Sequence, residues 1–179
     1  YLEETRGIVR PANYPSGSPG VGFYRYDGGA FSLLVVNLLG TSFMEPLENP
    51  FRTIDRILRE EEANCVLVDF HAEATGEKKA MGYYLDGRVS AVIGTHTHIQ
   101  TADEQILPRG TGYLTDVGMT GPIHSALGIK PECIINRLTS FLPTRFEVDG
   151  EDACQMDGVL LDLDHKTGRC TGIERLQIR

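Results

Sequence analysis

Three of the five histidines, His71, His96 and His98, are spaced in a way that could hold a metal. His96 and His98 belong to Gly94-Thr95-His96-Thr97-His98, and in extended backbone residues two apart point to the same side. The pair can therefore reach one metal centre or two adjacent ones. Imidazole is the commonest metal ligand, and an H-x-H arrangement chelates with little rearrangement. Three neutral imidazoles would hold one zinc with a fourth position open for water. Two dications would need carboxylates as well, to offset charge and to bridge the ions. Asp69, Glu73, Asp103 and Asp116 are the candidates. A carboxylate close to a metal-bound histidine is as often an orienting group as a ligand, and Asp69 and Asp116 are assigned to orientation. Thr97 and Thr101 are the hydroxyls placed to orient a phosphate ester, with loop-capping hydrogen bonds as the alternative. His124, in a Gly/Pro-flanked loop, is expected to be exposed, with approach to the site as an acid as the alternative, and His165, beside a turn, is expected to be exposed.

The elements that must position these histidines follow from hydrophobic pattern. Val89, Ala91, Val92 and Ile93 read as a buried strand that Gly94 ends, and Cys65 to Phe70 reads as another that delivers His71. Between them a helix runs from Thr75, as cap, to Asp86-Gly87. Strand, helix, strand is the signature of a parallel unit, so His71 and the His96/His98 pair fall at one sheet edge. That edge is where open α/β sheets hold ligands.

Upstream, residues 1–20 hold Pro11, Pro15, Pro19, Gly17 and Gly20 and read as an irregular loop. Val21 to Tyr26 and Ala30 to Leu39 read as strands joined through Asp27-Gly28-Gly29, a strong hairpin signal. Asn49 and Pro50 open an amphipathic helix with Phe51, Ile54, Ile57 and Leu58 on its apolar side. Downstream, Thr111 to Thr115 is a short strand, and Pro131 to Phe141 is a second amphipathic helix bearing Ile134, Ile135, Leu138 and Phe141. Phe146 to Val148 is a short strand at best. Gly158 to Asp164 and Thr171 to Ile178 pair as a terminal hairpin. No repeat or linker divides the chain, so residues 1–179 are read as one domain.

Composition bounds the function. Seventeen basic against 25 acidic residues give a net charge of −8, which argues against a long nucleic-acid groove. A small phosphorylated ligand stays open, because a bound metal can supply local positive charge. No apolar run is long enough to span a bilayer and no signal-peptide pattern is present. Four scattered cysteines, none in a C-x-x-C pair, fit a reducing, cytoplasmic setting. Walker-type, dinucleotide-binding, nucleophile-elbow and H-E-x-x-H signatures are missing from the sequence.

Several segments together closely resemble the YmdB-like family of bacterial calcineurin-like metallophosphoesterases. They are Asp69-Phe70-His71-Ala72-Glu73-Ala74-Thr75, Tyr84-Leu85-Asp86-Gly87-Arg88-Val89-Ser90, Gly94-Thr95-His96-Thr97-His98 with Gln100-Thr101-Ala102-Asp103, and Thr115-Asp116-Val117-Gly118-Met119-Thr120-Gly121-Pro122. Arg10-Pro11-Ala12-Asn13-Tyr14-Pro15 and Asn37-Leu38-Leu39-Gly40 extend the likeness over essentially the whole chain. The family is described as 2′,3′-cyclic-nucleotide 2′-phosphodiesterases. The resemblance implies an α/β fold, a calcineurin-like β-sandwich flanked by helices. It also implies a centre of two divalent ions, iron, manganese or related, and a small phosphodiester substrate such as a cyclic nucleotide. Matched position by position, His71 and His96 correspond to ligands of one metal and His98 to a ligand of the other.

One departure accompanies the match. Family members also carry an aspartate ligand on a first strand, a Glu-Asn pair with the bridging carboxylate, and an Asn-His pair with the general acid. None of these is in the chain, which opens at Tyr1 just downstream of where the Asn-His pair should stand. The expectation is therefore a C-terminal portion lacking the N-terminal strands, with weak single-metal binding, little turnover alone, and exposed apolar surface that favours homo-oligomers. A non-catalytic metal- or nucleotide-binding regulator is the alternative, and a single-zinc hydrolase a third reading.

Overall fold

The computed structural model describes every residue except Arg6, Asp149, Glu151 and Asp152. The described residues form two sheets and three helices. The larger sheet has the order β1-β2-β3-β4-β6-β5, and the smaller one β7-β8-β9.

β1 (Phe23–Asp27) and β2 (Ser32–Leu39) make the expected antiparallel hairpin, with Gly28 donating its N–H to the carbonyl of Phe31. β2, β3 (Cys65–His71), β4 (Ala91–Thr95) and β6 (Gly112–Leu114) are all parallel, so their carboxyl ends share one edge. Leu34, Val36, Leu38, Val68, Phe70 and Val92 form the core of this sheet, fully buried or nearly so. Helix α1 (Pro50–Glu60) begins as its sequence demands. Asn49 Oδ1 accepts from the N–H groups of Phe51 and Arg52 at 3.0 and 3.3 Å, and Pro50 fills the first turn, where no donor is needed. Ile54 and Ile57 enter the core from this helix. Helix α2 (Thr75–Leu85) connects β3 to β4 and buries Met81 and Leu85. Gly82 lets the ring of Tyr113 lie on its backbone, since a Cβ there would sit 2.5 Å from the ring.

The second sheet pairs β7 (Thr120–Pro122) with the long hairpin of β8 (Cys154–Asp164) and β9 (Arg169–Ile178). β9 packs on β5 (Gln105–Ile106) and β6, where Cys170 lies against Gly112. Gln100 stitches the sheets together: its Nε2 donates toward the carbonyls of Val117, Gly158 and Leu176 at 3.3, 2.9 and 3.1 Å. Among the described residues no helix is long and apolar enough to cross a membrane.

Four readings need correction. Gly94 does not end its strand: it pairs with Phe70 inside β4, because its missing side chain admits the carbonyl of Thr115. Thr75 is the first residue of α2 rather than its cap; Ala74 occupies the cap position with no side-chain bond. Helix α3 (Pro131–Ser140) forms, yet none of its residues is buried. The segment at Phe146 to Val148 contributes only an isolated bridge from Val148 to Ile129. Strands β5 and β7, two and three residues long, have no counterpart in the sequence reading.

Candidate metal centre

Parallel register places the first histidine. His71 is the last residue of β3 and lies opposite Thr95, the last residue of β4. His71 Nδ1 is 3.0 Å from Thr95 Oγ1, and that hydroxyl donates to Asp69 Oδ1 at 3.1 Å. Asp69 Oδ2 accepts from Asn37 Nδ2 at 2.7 Å, across the β2–β3 pair where the two residues are in register. A hydroxyl has one proton to give, and a carboxylate can only accept. With the Thr95 proton on Asp69, Thr95 Oγ1 accepts from His71 Nδ1–H. Nε2 of the neutral ring is left with its lone pair. Burial holds the His71 imidazole below its ordinary pKa, and the neighbouring His96 adds to this, so the ring favours its neutral, ligating form.

His96 meets that lone pair. Its Nδ1 stands 3.0 Å from His71 Nε2 with the rings nearly perpendicular, while its Nε2 is 2.7 Å from Glu73 Oε2. Glu73 is an acceptor, so His96 gives it the Nε2 proton. A proton on His96 Nδ1, or a divalent ion in its place, joins the two nitrogens across this 3.0 Å gap. Two ligands each about 2.1 Å from one ion at a near-right angle are separated by roughly this distance. The spacing of His71 and His96 could admit a divalent ion between their ring nitrogens, with Glu73 beside them.

The backbone that presents His96 is strained. Its φ is 124°, and His98 has a φ of 63°. Such conformations persist for non-glycine residues only where the surroundings over-determine them. Here the anchor is Asp116, fully buried and paired at 2.9 Å with the equally buried Lys78 of α2. Asp116 Oδ2 also accepts from Thr97 N at 2.9 Å, and Oδ1 from Gly118 N at 3.0 Å. Burial alone would raise the Asp116 pKa; Lys78 and the two amides outweigh it and hold the carboxyl below its ordinary value. Further along, Thr101 Oγ1 donates to Asp103 Oδ1 at 2.7 Å, and Asp103 in turn accepts from Thr115 and pairs with Lys79.

The three histidines share one edge, and the fold brings two of them together. His98 turns away: its Nδ1 donates to the carbonyl of Leu127 at 3.3 Å, and its ring lines a polar cleft between the loop and the terminal hairpin with Asp157 and Arg175. Among the described residues no group of three His, Cys, Asp or Glu side chains converges to hold an ion. Thr97 Oγ1 donates to the carbonyl of Ile99, and the Thr101 hydroxyl is engaged inside the loop. His124 and His165 are exposed. Sequence reasoning passed over Lys78, because a lysine in a helical run reads as solvated, and it gave Thr95 no link to His71. The in-register residues Asn37, Asp69, His71 and Thr95 were the available signal.

The model of the YmdB-like protein family matches residues 1–176. The chain belongs to the YmdB-like family. Among relatives in this family, the 2′,3′-cyclic-nucleotide 2′-phosphodiesterase of Bacillus subtilis strain 168 is 47% identical over 180 aligned residues, covering 99% of this chain and 68% of its own. A hypothetical protein from Thermus thermophilus, solved by crystallography, superposes with a TM-score of 0.93 at 46% identity over 99% of this chain and 69% of that one. A crystallographic phosphatase from Mycoplasma pneumoniae gives a TM-score of 0.92 at 34% identity, covering 99% and 65% respectively. The chain thus spans about two thirds of the length of these family members.

Proposed function

We propose that the protein is a metal-dependent phosphodiesterase acting on 2′,3′-cyclic nucleotides, with His71 and His96 on one divalent ion and His98 serving a second. The observation that carries this reading is the approach of His96 Nδ1 to His71 Nε2 at 3.0 Å at one sheet edge, with His71 held by Asp69 through Thr95 and His96 held by Glu73. The name of the Bacillus subtilis relative supports the substrate class. A bound divalent ion, iron, manganese or a related metal, supplies positive charge to the phosphoryl oxygens and activates water.

The chain's own residues do the positioning. Asp69, through Thr95, fixes the His71 tautomer, and Glu73 fixes that of His96. The Lys78–Asp116 pair holds the strained loop that presents His96. Four scattered cysteines, none in a C-x-x-C pair, support a cytoplasmic enzyme.

Manganese binding is measured on this chain by calorimetry, and hydrolysis of 2′,3′-cyclic AMP on the complete gene product. His71→Ala and His96→Ala are expected to abolish both. Manganese-independent hydrolysis, or unchanged manganese affinity in both variants, overturns the reading. A second reading, a non-catalytic metal- or nucleotide-binding regulator, is favoured by one observation: the converged donor set is a pair among the described residues. It predicts nucleotide binding without turnover by the complete gene product.

A further inference from the structure

The loop after β2 leaves the same sheet edge as the histidines and carries an aromatic side chain in an unusual setting. Phe43 is 91% exposed, and its φ is 63°, a backbone conformation that residues with a Cβ rarely adopt. Both flanks of the loop are tied down. The Glu77 carboxylate of α2 accepts from Thr41 N and Oγ1 at 3.0 and 3.3 Å, and from Ser42 N at 3.3 Å. On the other side Glu73 N donates to Met44 Sδ at 3.3 Å. Glu73 is the residue whose carboxylate holds His96. A strained main chain, pinned one residue to either side, therefore thrusts a bare ring into solvent, next to the Met44–Glu73 contact that leads to His96. Ser42 and Glu45, also exposed, put polar groups one and two residues from the ring along the chain. A flat π-face of that kind suits a single planar ring system whose remaining groups stay hydrated.

We propose that Phe43 is the platform on which the base of the nucleotide stacks, while its phosphodiester faces the histidine pair. This rests on the phosphodiesterase reading and adds what recognises the base. Stacking is tolerant of sequence because every base has a π-face, so the platform fixes the nucleotide class without selecting one base.

The chain has no tryptophan, so Phe43→Trp creates a sole reporter. Its emission is expected to fall saturably with 2′,3′-cyclic AMP and to stay level with ribose 5-phosphate, which has no base. Phe43→Ala is expected to weaken 2′,3′-cyclic AMP binding by about 5- to 150-fold with manganese affinity unchanged, and Phe43→Tyr to restore it. Equal nucleotide affinity in wild type and Phe43→Ala, with manganese still bound, overturns the stacking role alone. If neither manganese nor nucleotide binds the wild-type chain, the phosphodiesterase reading falls and the platform with it. Emission that follows protein concentration instead of nucleotide marks a self-association surface and overturns the proposal.

Discussion

The loop from His96 to Asp103 and the helix α3 both lie at the surface, and both contain backbone in the left-handed region, at His96 and His98 in the one and at the helix end, Phe141, in the other. Their supports differ in kind. The loop is fastened from below by two carboxylates, Asp116 and Asp103, that together take hydrogen bonds from Thr97, Gly118, Thr101 and Thr115 and pair with two lysines of α2. Helix α3 has no buried residue; Leu138 is 66% exposed and Phe141 89%. Its order comes from Pro131 at its start and from local bonds such as Thr139 Oγ1 to Ile135 O at 2.8 Å. Of these two regions, the first alone is braced by a buried ion pair. Beneath His96 lies the buried Lys78–Asp116 pair; beneath the end of α3 lies no buried residue of that helix.

Gly94→Ala attacks the first region at its narrowest point. A Cβ there would collide with the carbonyl group of Thr115, which is backbone and cannot swing aside, and would press on Lys78 Cδ at 3.2 Å. The variant is expected to lose more than about 4 kcal/mol and to fail to accumulate as folded protein, as read by circular dichroism and solubility. Lys78→Met comes next. It strands Asp116 in the interior and is expected to cost about 3–5 kcal/mol in urea unfolding, with manganese affinity falling as the His96 loop relaxes.

Acid titration probes the second carboxylate. Burial would raise the Asp103 pKa, but Thr115, Thr101 and Lys79 outweigh it and bring it to about 2. A depressed carboxylate stabilises the folded state above its unfolded pKa, and that contribution is lost as pH falls from about 4 towards 2. Unfolding free energy of the wild type should therefore decline more steeply across that window than that of Asp103→Asn. Parallel declines would count against the anchor. The smallest effect is expected in α3, where Leu138→Gln should change stability by about 0.5 kcal/mol or less. A larger loss there would erase the contrast between the two regions.

Much of this contrast is legible in the residues, and some of it is not. The runs in β2, β3 and β4 are β-branched and apolar on both faces, and a parallel arrangement follows from the helix between the latter two; that is why His71 and His96 can be placed at one edge. Asn49-Pro50 and Asp27-Gly28 announce their helix and hairpin by local chemistry alone. Gly94 reads as a strand end because glycine usually breaks a strand, and only the packing of Thr115 over it shows why it belongs inside one. Lys78 and Asp116 lie 38 residues apart and each is ordinary where it stands; their pairing exists only in three dimensions. The amphipathic pattern of α3 correctly gives a helix, but periodicity says nothing about whether a surface exists to receive its apolar side.

Gln100 carries a consequence for kinetics. Its one amide group spans contacts 58 and 76 residues away along the chain, whereas the hairpin it grips closes through the short turn between Asp164 and Arg169. Local pairings of that sort form early, and distant ones wait until both partners exist. Gln100 is then a latch thrown late: it contributes little to how fast the molecule assembles, and much to how long the two sheets stay closed once they have met.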